Sequence, residues 1–441
     1  MRNFTFKGLF LTAVFALLWS LTIQAAEDGL ITKQITIKLK EAGTLPDRID
    51  ASKKYLITNL KLVGEINGTD FRMIREMAGS DYYGGSTEGN LSVLDLSEAK
   101  IVIGGGDYFN GYSCYTSNDV IGNRAFNGCS RLTSLNLPAS ITRIGDYAFY
   151  CCSGLTSLTL PAGITEIGYS AFCGCSGLTS LNLPAGITSI GDDAFYGCSG
   201  LTSITLPAGI TEIGGSAFNG CSRLTSLTLP AGITSIGGGA FYGCSGLTSL
   251  NLPAGITEIG GGAFGFCSGL TSINLPAGIT SIGEYAFYGC SGLTSVTLPA
   301  GITEIGECAF YGCSGLTSVT LPAGLTQIDD YAFSECSGLT SIYVYAEKVP
   351  KIGEDVFKGC DAKKCTVYVP KGTYDDYWLS DFGYFENIVE FEATGIDKTT
   401  TSTDVKEVSR YSVNGQRLVG PTKGLNIVKY SDGSMKKVAV E

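Results

Sequence analysis

The sequence predicts a solenoid of α/β type, mostly β and right-handed, built from about eleven 23-residue repeats. Three observations predict it. Aligned on the isoleucine of "ITEIG", the copies start at Ile141, Ile164, Ile187, Ile210, Ile233, Ile256, Ile279, Ile302 and Leu325, each 23 residues after the last. Degenerate copies start at Asn118 and Val349. Inside each copy, "LTSLTL" alternates, sending Leu158 and Leu160 to one face and Ser157 and Thr159 to the other. One cysteine and one phenylalanine also recur in register, as in Cys152, Cys175 and Cys198, and in Phe149, Phe172 and Phe195. A strand of this kind cannot bury its apolar face alone, whereas stacked copies share one continuous core.

Residues 1–26 read as a secretory signal. Arg2 and Lys7 supply the positive start, Gly8 to Ile23 is almost wholly apolar, and Ala25 and Ala26 offer small residues for cleavage. The apolar run is short for a membrane span and no second one follows, so no integral membrane span is expected after cleavage. Residues 27–117 depart from the repeat and are expected to cap the open N-terminal end. "ITKQITIKLK" alternates as a strand, and "GTDFRMIREMAG" reads as a short helix with Asp70 or Thr69 near its N-cap. "LSVLDLSEAKIVIGG" resembles a first, irregular repeat.

The repeats occupy 118–371. Pro161 and Gly163 end the strand and turn the chain, "ITEIG" forms an opposite wall, and "SAFCGC" is too short for more than one helical or 3₁₀ turn. Residues 372–393 are expected to close the far end with aromatics including Trp378, Phe382 and Phe385. A polar linker, 394–404, precedes a small β module at 405–441, which alternates around the turn signals "VNGQ" and "SDG".

Composition excludes several functions. There is no histidine, which removes histidine triads, histidine bases and histidine metal sites. The net charge of −11, becoming −13 without the signal, argues against nucleic acid and anionic membranes as partners. Glycine stretches such as "IGGGAF" lack the Lys-Ser/Thr of a phosphate loop. No pair of carboxylates stands out from the repeat. No catalytic residue, cofactor or metal site is expected, and the chain is read as a non-enzyme.

The sixteen cysteines of an exported chain raise the question of disulfides. Equivalent cysteines in stacked copies stay near the strand spacing of about 4.8 Å between Cβ atoms, where a bridge wants about 3.8 Å. The ladder from Cys129 to Cys360 is therefore expected to hold buried free thiols that pack as small hydrophobes. Cys151 with Cys173 is the one bridge considered.

Two faces could bind a partner. The outward strand face is uniform and polar, with Ser180, Asn182, Ser203, Thr205, Ser226, Thr228, Ser249 and Asn251. The turn layer offers Tyr150, Tyr196, Tyr242 and Tyr288 at one repeat position, with Tyr311 following. Interface hot spots favour tyrosine over serine, so the tyrosine edge is the expected site and the sheet face the alternative. At the third repeat position glutamates alternate with neutral residues from Glu166 to Glu304, which keeps like charges apart and also fits duplication of a 46-residue pair.

The period of 23 with L-x-x-L-x-L falls in the leucine-rich-repeat range. The motif "LTSLTLPAGITEIGYSAFCGCSG", with its leucine, proline, Ile-Gly, Ala-Phe and cysteine in register, resembles the BspA-like leucine-rich-repeat proteins over roughly 118–371. That resemblance implies a secreted or surface-exposed bacterial protein, and an adhesin that binds proteins or glycoproteins on host or bacterial surfaces. The alternative is a self-associating structural component of the surface. The tail "RYSVNGQRLVGPTKGLNIVKYSDGSMKKVAVE" resembles C-terminal modules of exported proteins, some of them type IX secretion signals, and is read either so or as a plain terminal module.

Overall fold

In a computed structural model, the described residues are 29–392, 407–412, 417–418, 423–430 and 435–440. The expected signal segment and the linker lie outside them. The chain divides into two compact units after Glu392.

The first unit is a parallel solenoid with one apolar core running through it. Three layers wrap that core. In the sheet layer, in-register parallel strands carry the alternation: Ser203, Ile204 and Thr205 pair with Ser180, Leu181 and Asn182, and the middle residue is buried each time. The wall layer uses two residues per copy, such as Glu212–Ile213 against Ser235–Ile236. The third layer is the "SAFCGC" turn. It is not a 3₁₀ helix but a chain of i→i−3 turns. The Tyr150 N–H donates to the Tyr147 carbonyl at 3.1 Å, and the alternate N–H groups leave the turn altogether. Those of Tyr147, Phe149 and Cys151 donate to the carbonyls of Tyr169, Ala171 and Cys173 in the next copy at 2.9, 2.8 and 2.7 Å. Splitting the donors in this way requires left-handed backbone twice per copy, at the Tyr147 and Cys151 positions, where φ is 54° and 56°.

The turn layer is continuous, whereas the sheet layer is not. It falls into runs of five, two and seven strands. Between the runs, the Thr179 N–H reaches the Thr156 carbonyl only at 3.4 Å, and the Thr225 N–H reaches that of Thr202 at 3.5 Å. A three-residue strand has few ladder bonds, so a stretch of a few tenths of an ångström dissolves the pairing. Ser226 and Thr228 consequently lie outside any strand, although the core beneath them is unbroken.

Two ladders fill the core. Eleven phenylalanine rings from Phe126 to Phe357 stack at 5.1–6.0 Å with interplanar angles of 2–13°. Beside them, every ladder cysteine is buried and free. The thiols do more than pack. From Cys152 to Cys360 each Sγ–H donates to the phenylalanine carbonyl of the preceding copy, at 3.0–3.4 Å. That carbonyl already accepts its own turn N–H, so the thiol satisfies the second lone pair. Cys151 and Cys173 are also free thiols, and the bridge considered for them is not formed.

The caps continue the solenoid rather than plugging it. The strands Ile35–Lys38, Asn59–Ile66 and Val93–Ile101 join the sheet in parallel ahead of Ser134–Asn136. The helix Gly68–Met77 covers the open end. Its N-cap is Asn67, with Thr69 and Asp70 in the first turn after it. The Asn67 side chain accepts from the Thr69 N–H, and Asp70 at N3 accepts from the Asn67 N–H at 2.9 Å, completing a capping box. Asp70 also accepts from the backbone N–H of Gly43 and Leu45, which ties the preceding loop to the helix.

The turn layer's backbone donors between copies all point toward the C-terminus, so the first copy is left with carbonyls that no earlier copy can serve. The cap serves them. The Tyr108 hydroxyl donates to the Asn123 carbonyl at 2.8 Å and the buried Arg75 guanidinium to the Ala125 carbonyl at 3.4 Å; Arg75 also donates at 2.8 Å to the Arg124 carbonyl, which already accepts the Asn127 N–H. Phe71 ends the ring stack edge-on against Phe126 at 5.6 Å. At the far end, Phe382 and Phe385 close on Phe357 at 5.1 Å each. Trp378 does not join them. It is 46% exposed and stacks on Tyr374, while its neighbour Tyr377 is buried and its hydroxyl donates to the Ala346 carbonyl.

The second unit contains an antiparallel sheet of Glu407–Ser412, Arg417–Leu418, Gly424–Tyr430 and Met435–Val440. The "VNGQ" and "SDG" signals lie outside the described residues.

Candidate protein-binding surface

The sheet face holds its predicted residues where the alternation put them. Ser180, Asn182, Ser203, Thr205, Ser226, Thr228, Ser249 and Asn251 are all exposed. Their threonine neighbours serve the fold instead. The hydroxyls of Thr156, Thr179 and Thr202 donate to the threonine carbonyl of the preceding copy at 3.0–3.3 Å. The face gains rings only at its C-terminal end, where Tyr343 and Tyr368 stack at 4.5 Å. On the wall, strand register sets Glu212 between the neutral Ser189 and Ser235, whereas Glu166 lies beside Arg143 and pairs with it at 3.0 Å.

The turn layer holds the tyrosines. Tyr150, Tyr196, Tyr242, Tyr288 and Tyr311 occupy the residue after the ladder phenylalanine. The structure does not bring all five together. Tyr150 is half-buried and packs on Tyr147 at 5.6 Å, which in turn meets Tyr169 at 5.2 Å and the Arg124 guanidinium at 4.2 Å. Tyr196 is exposed, with no ring contact among the described residues. Tyr242, Tyr288 and Tyr311 belong to a second cluster, in which Tyr288 and Tyr311 lie parallel at 5.0 Å.

The residue that joins this second cluster was not among the expected ones. Phe266 lies 5.3 Å from Tyr242 and 5.1 Å from Tyr288, and so links four successive copies. The signal for it is a reversal: "AFYGC" elsewhere becomes "AFGFC" at 263–267. Tyr285 flanks the cluster at 5.7 Å from Tyr288, and its hydroxyl donates to Glu307 at 3.0 Å. That bond to a carboxylate pushes the Tyr285 hydroxyl up to about 12, since ionising it would set two negative charges side by side. Tyr169 is likewise raised to about 12, chiefly by its bond to Asp193.

A cavity lies elsewhere, in the N-terminal cap. It measures about 270 Å³ and is lined by apolar Pro46, Ile49 and Met73 with Lys54, Arg72 and Glu76. Its cations are already engaged, Lys54 with Glu76 at 2.6 Å and Arg72 with the Asp107 carbonyl at 2.6 Å. No described helix is long and apolar enough to cross a membrane.

Among curated proteins there is no match. Solved structures similar to this chain include a leucine-rich repeat protein from Bacteroides ovatus, with 27% identity over 68% of this chain and 84% of that one and a TM-score of 0.49. A leucine rich cell surface protein from Faecalibacterium prausnitzii is similar at 26% identity, over 70% and 87% of the two chains, with a TM-score of 0.37. A leucine rich repeat protein of T. pallidum shares 32% identity over 36% and 77%, with a TM-score of 0.35. The model of the BspA type leucine rich repeat region, in six copies, matches residues 111–224, 165–280 and 257–375, together more than half of the sequence. The chain therefore belongs to the BspA-type leucine-rich-repeat family.

Proposed function

We propose that this chain is an exported, surface-exposed protein-binding module: an adhesin that recognises proteins or glycoproteins on host or bacterial surfaces by several weak contacts along the solenoid. Family membership supports a protein-binding role, and the F. prausnitzii neighbour is described as a cell surface protein. The observation that carries the reading is the line of partly exposed rings on the turn layer. Amphipathic rings held on a rigid backbone lose little entropy on contact, whereas a serine and threonine face competes with water for each hydrogen bond. Repetition then converts weak contacts into avidity.

The test compares two variants. One changes Tyr150, Tyr196, Tyr242 and Tyr288 to serine. The other changes Ser180, Ser203, Ser226 and Ser249 to lysine. A partner captured from host secretions and then purified should bind the lysine variant as it binds the parent, and the serine variant at least tenfold more weakly. Loss of binding in the lysine variant alone would move the working surface to the sheet. Light scattering separates the self-associating alternative: assembly with rising concentration and no partner would favour a scaffold.

A further inference from the structure

Phe266 sits where the backbone is left-handed, with φ of 55°. Eight of the eleven copies place glycine at this position. A bulky side chain there is an outlier that costs roughly 1–2 kcal/mol. The same copy has glycine at the preceding position, Gly265, where its neighbours have Tyr242 and Tyr288. The Tyr242 ring lies across Gly265, leaving only 2.7 Å to a Cβ built there. The sequence has reversed Tyr-Gly to Gly-Phe and kept a ring between Tyr242 and Tyr288 at the expense of strain. Nothing in the core requires it: Phe266 is 44% exposed, and Phe264 already fills this copy's place in the buried stack. Strain kept at an exposed ring points outward, to something that touches it.

The charge around the strip says what that something is. Between Arg143 and Lys348 the sequence carries thirteen carboxylates and a single cation, Arg223. Glu284 and Glu335 stand exposed beside the strip with no ion pair among the described residues. A second copy of this acidic body would be repelled. A guanidinium or ammonium would gain both the π face or edge contacts of the rings and the field of the carboxylates.

We infer that Tyr242, Phe266, Tyr288 and Tyr311, flanked by Glu284 and Glu335, dock an extended segment of a partner protein that carries arginine or lysine side chains. This rests on the protein-binding reading above and names its partner's chemistry. Ring spacings near 5 Å over four copies suit a segment that runs along the solenoid axis rather than a globular knob.

The full chain is titrated against a fluorescein-labelled peptide alternating arginine with glycine and serine, and against the same peptide with glutamate for arginine, by fluorescence anisotropy. The arginine peptide should bind, more weakly as salt rises, and the glutamate peptide should not. Phe266→Gly should weaken binding about three- to fivefold while raising the thermal midpoint, because it removes the strain. A ring that served only the fold would lower that midpoint. The double variant Gly265→Tyr with Phe266→Gly restores the usual order and should recover binding. Glu284→Gln with Glu335→Gln should weaken binding and flatten its salt dependence. Unchanged binding by Phe266→Gly, or equal binding of the glutamate peptide, overturns the inference. If the arginine peptide fails while the captured partner still needs the strip tyrosines, the partner's charge is wrong and the tyrosine surface stands. If the captured partner ignores the strip as well, the tyrosine surface itself is wrong.

Discussion

Raising the pH from 7.5 to 9.5 should destabilise the solenoid through its thiol ladder. Burial raises all eleven ladder thiols above the ordinary value of 9.0, to about 11 for Cys129, to about 12 for Cys244 and Cys290, and well above for Cys152 and Cys175. The folded state thus holds its protons where the unfolded chain releases them. Stability is full below pH 8 and falls as pH rises from about 9 toward the raised folded values. At pH 9.5 an unfolded thiol is about three-quarters ionised, which favours unfolding by about 0.8 kcal/mol per thiol. Eleven thiols lost together amount to about 9 kcal/mol, comparable with the whole stability of many domains. If the array melts in sections, each copy contributes its own share. Tyrosines add only about 0.2 kcal/mol each at this pH. Urea unfolding followed by circular dichroism, with reductant present, measures the change. Coincident transitions at the two pH values would refute the argument and mean that the ladder is not buried as thiols.

Other perturbations read other parts of the fold. Phe241→Ala removes one ring from the middle of the stack and should cost about 3–5 kcal/mol, read as a lowered urea midpoint. Cys151→Gly, at a left-handed position that most copies give to glycine, should raise stability by about 1 kcal/mol, which a thermal melt would show. Asn67→Ala removes the capping-box acceptor from the N-terminal helix and should cost about 1 kcal/mol, with hydrogen exchange quickening first at Thr69. Cys244→Arg buries an unpaired cation and should unfold the copies around it, whereas Cys244→Ser keeps the donor to the Phe218 carbonyl and should leave a cooperative transition.

The period, the buried alternation and both ladders were legible because each is a one-dimensional signal repeated until it stands clear of chance. What escaped was interaction at right angles to the sequence. The thiol bond to a phenylalanine carbonyl crosses 26 residues, and no composition announces it. The start of the helix was legible near Thr69 and Asp70, but the cap itself, Asn67, was not, because all three have the chemistry of a cap and only the backbone chooses. Trp378 was expected to help close the far end, but Tyr377 took the buried place, where its hydroxyl could find the Ala346 carbonyl. The tyrosine edge was legible as a position. The continuity of its second cluster was not, since this depends on the single reversal at Gly265 and Phe266.

The one-way donors of the turn layer also limit how such a protein can change length. A copy inserted between two others finds acceptors ahead of it and donors behind it, so it needs no new residues anywhere else. A copy added in front of Asn118 would displace Tyr108 and Arg75 from the Asn123, Arg124 and Ala125 carbonyls they serve, and those two side chains fit no internal copy. Length can therefore drift only from the middle, while the first copy stays fixed to its cap. The near-identity of the internal copies, set against the more divergent ones at either end, is the pattern that such growth would produce.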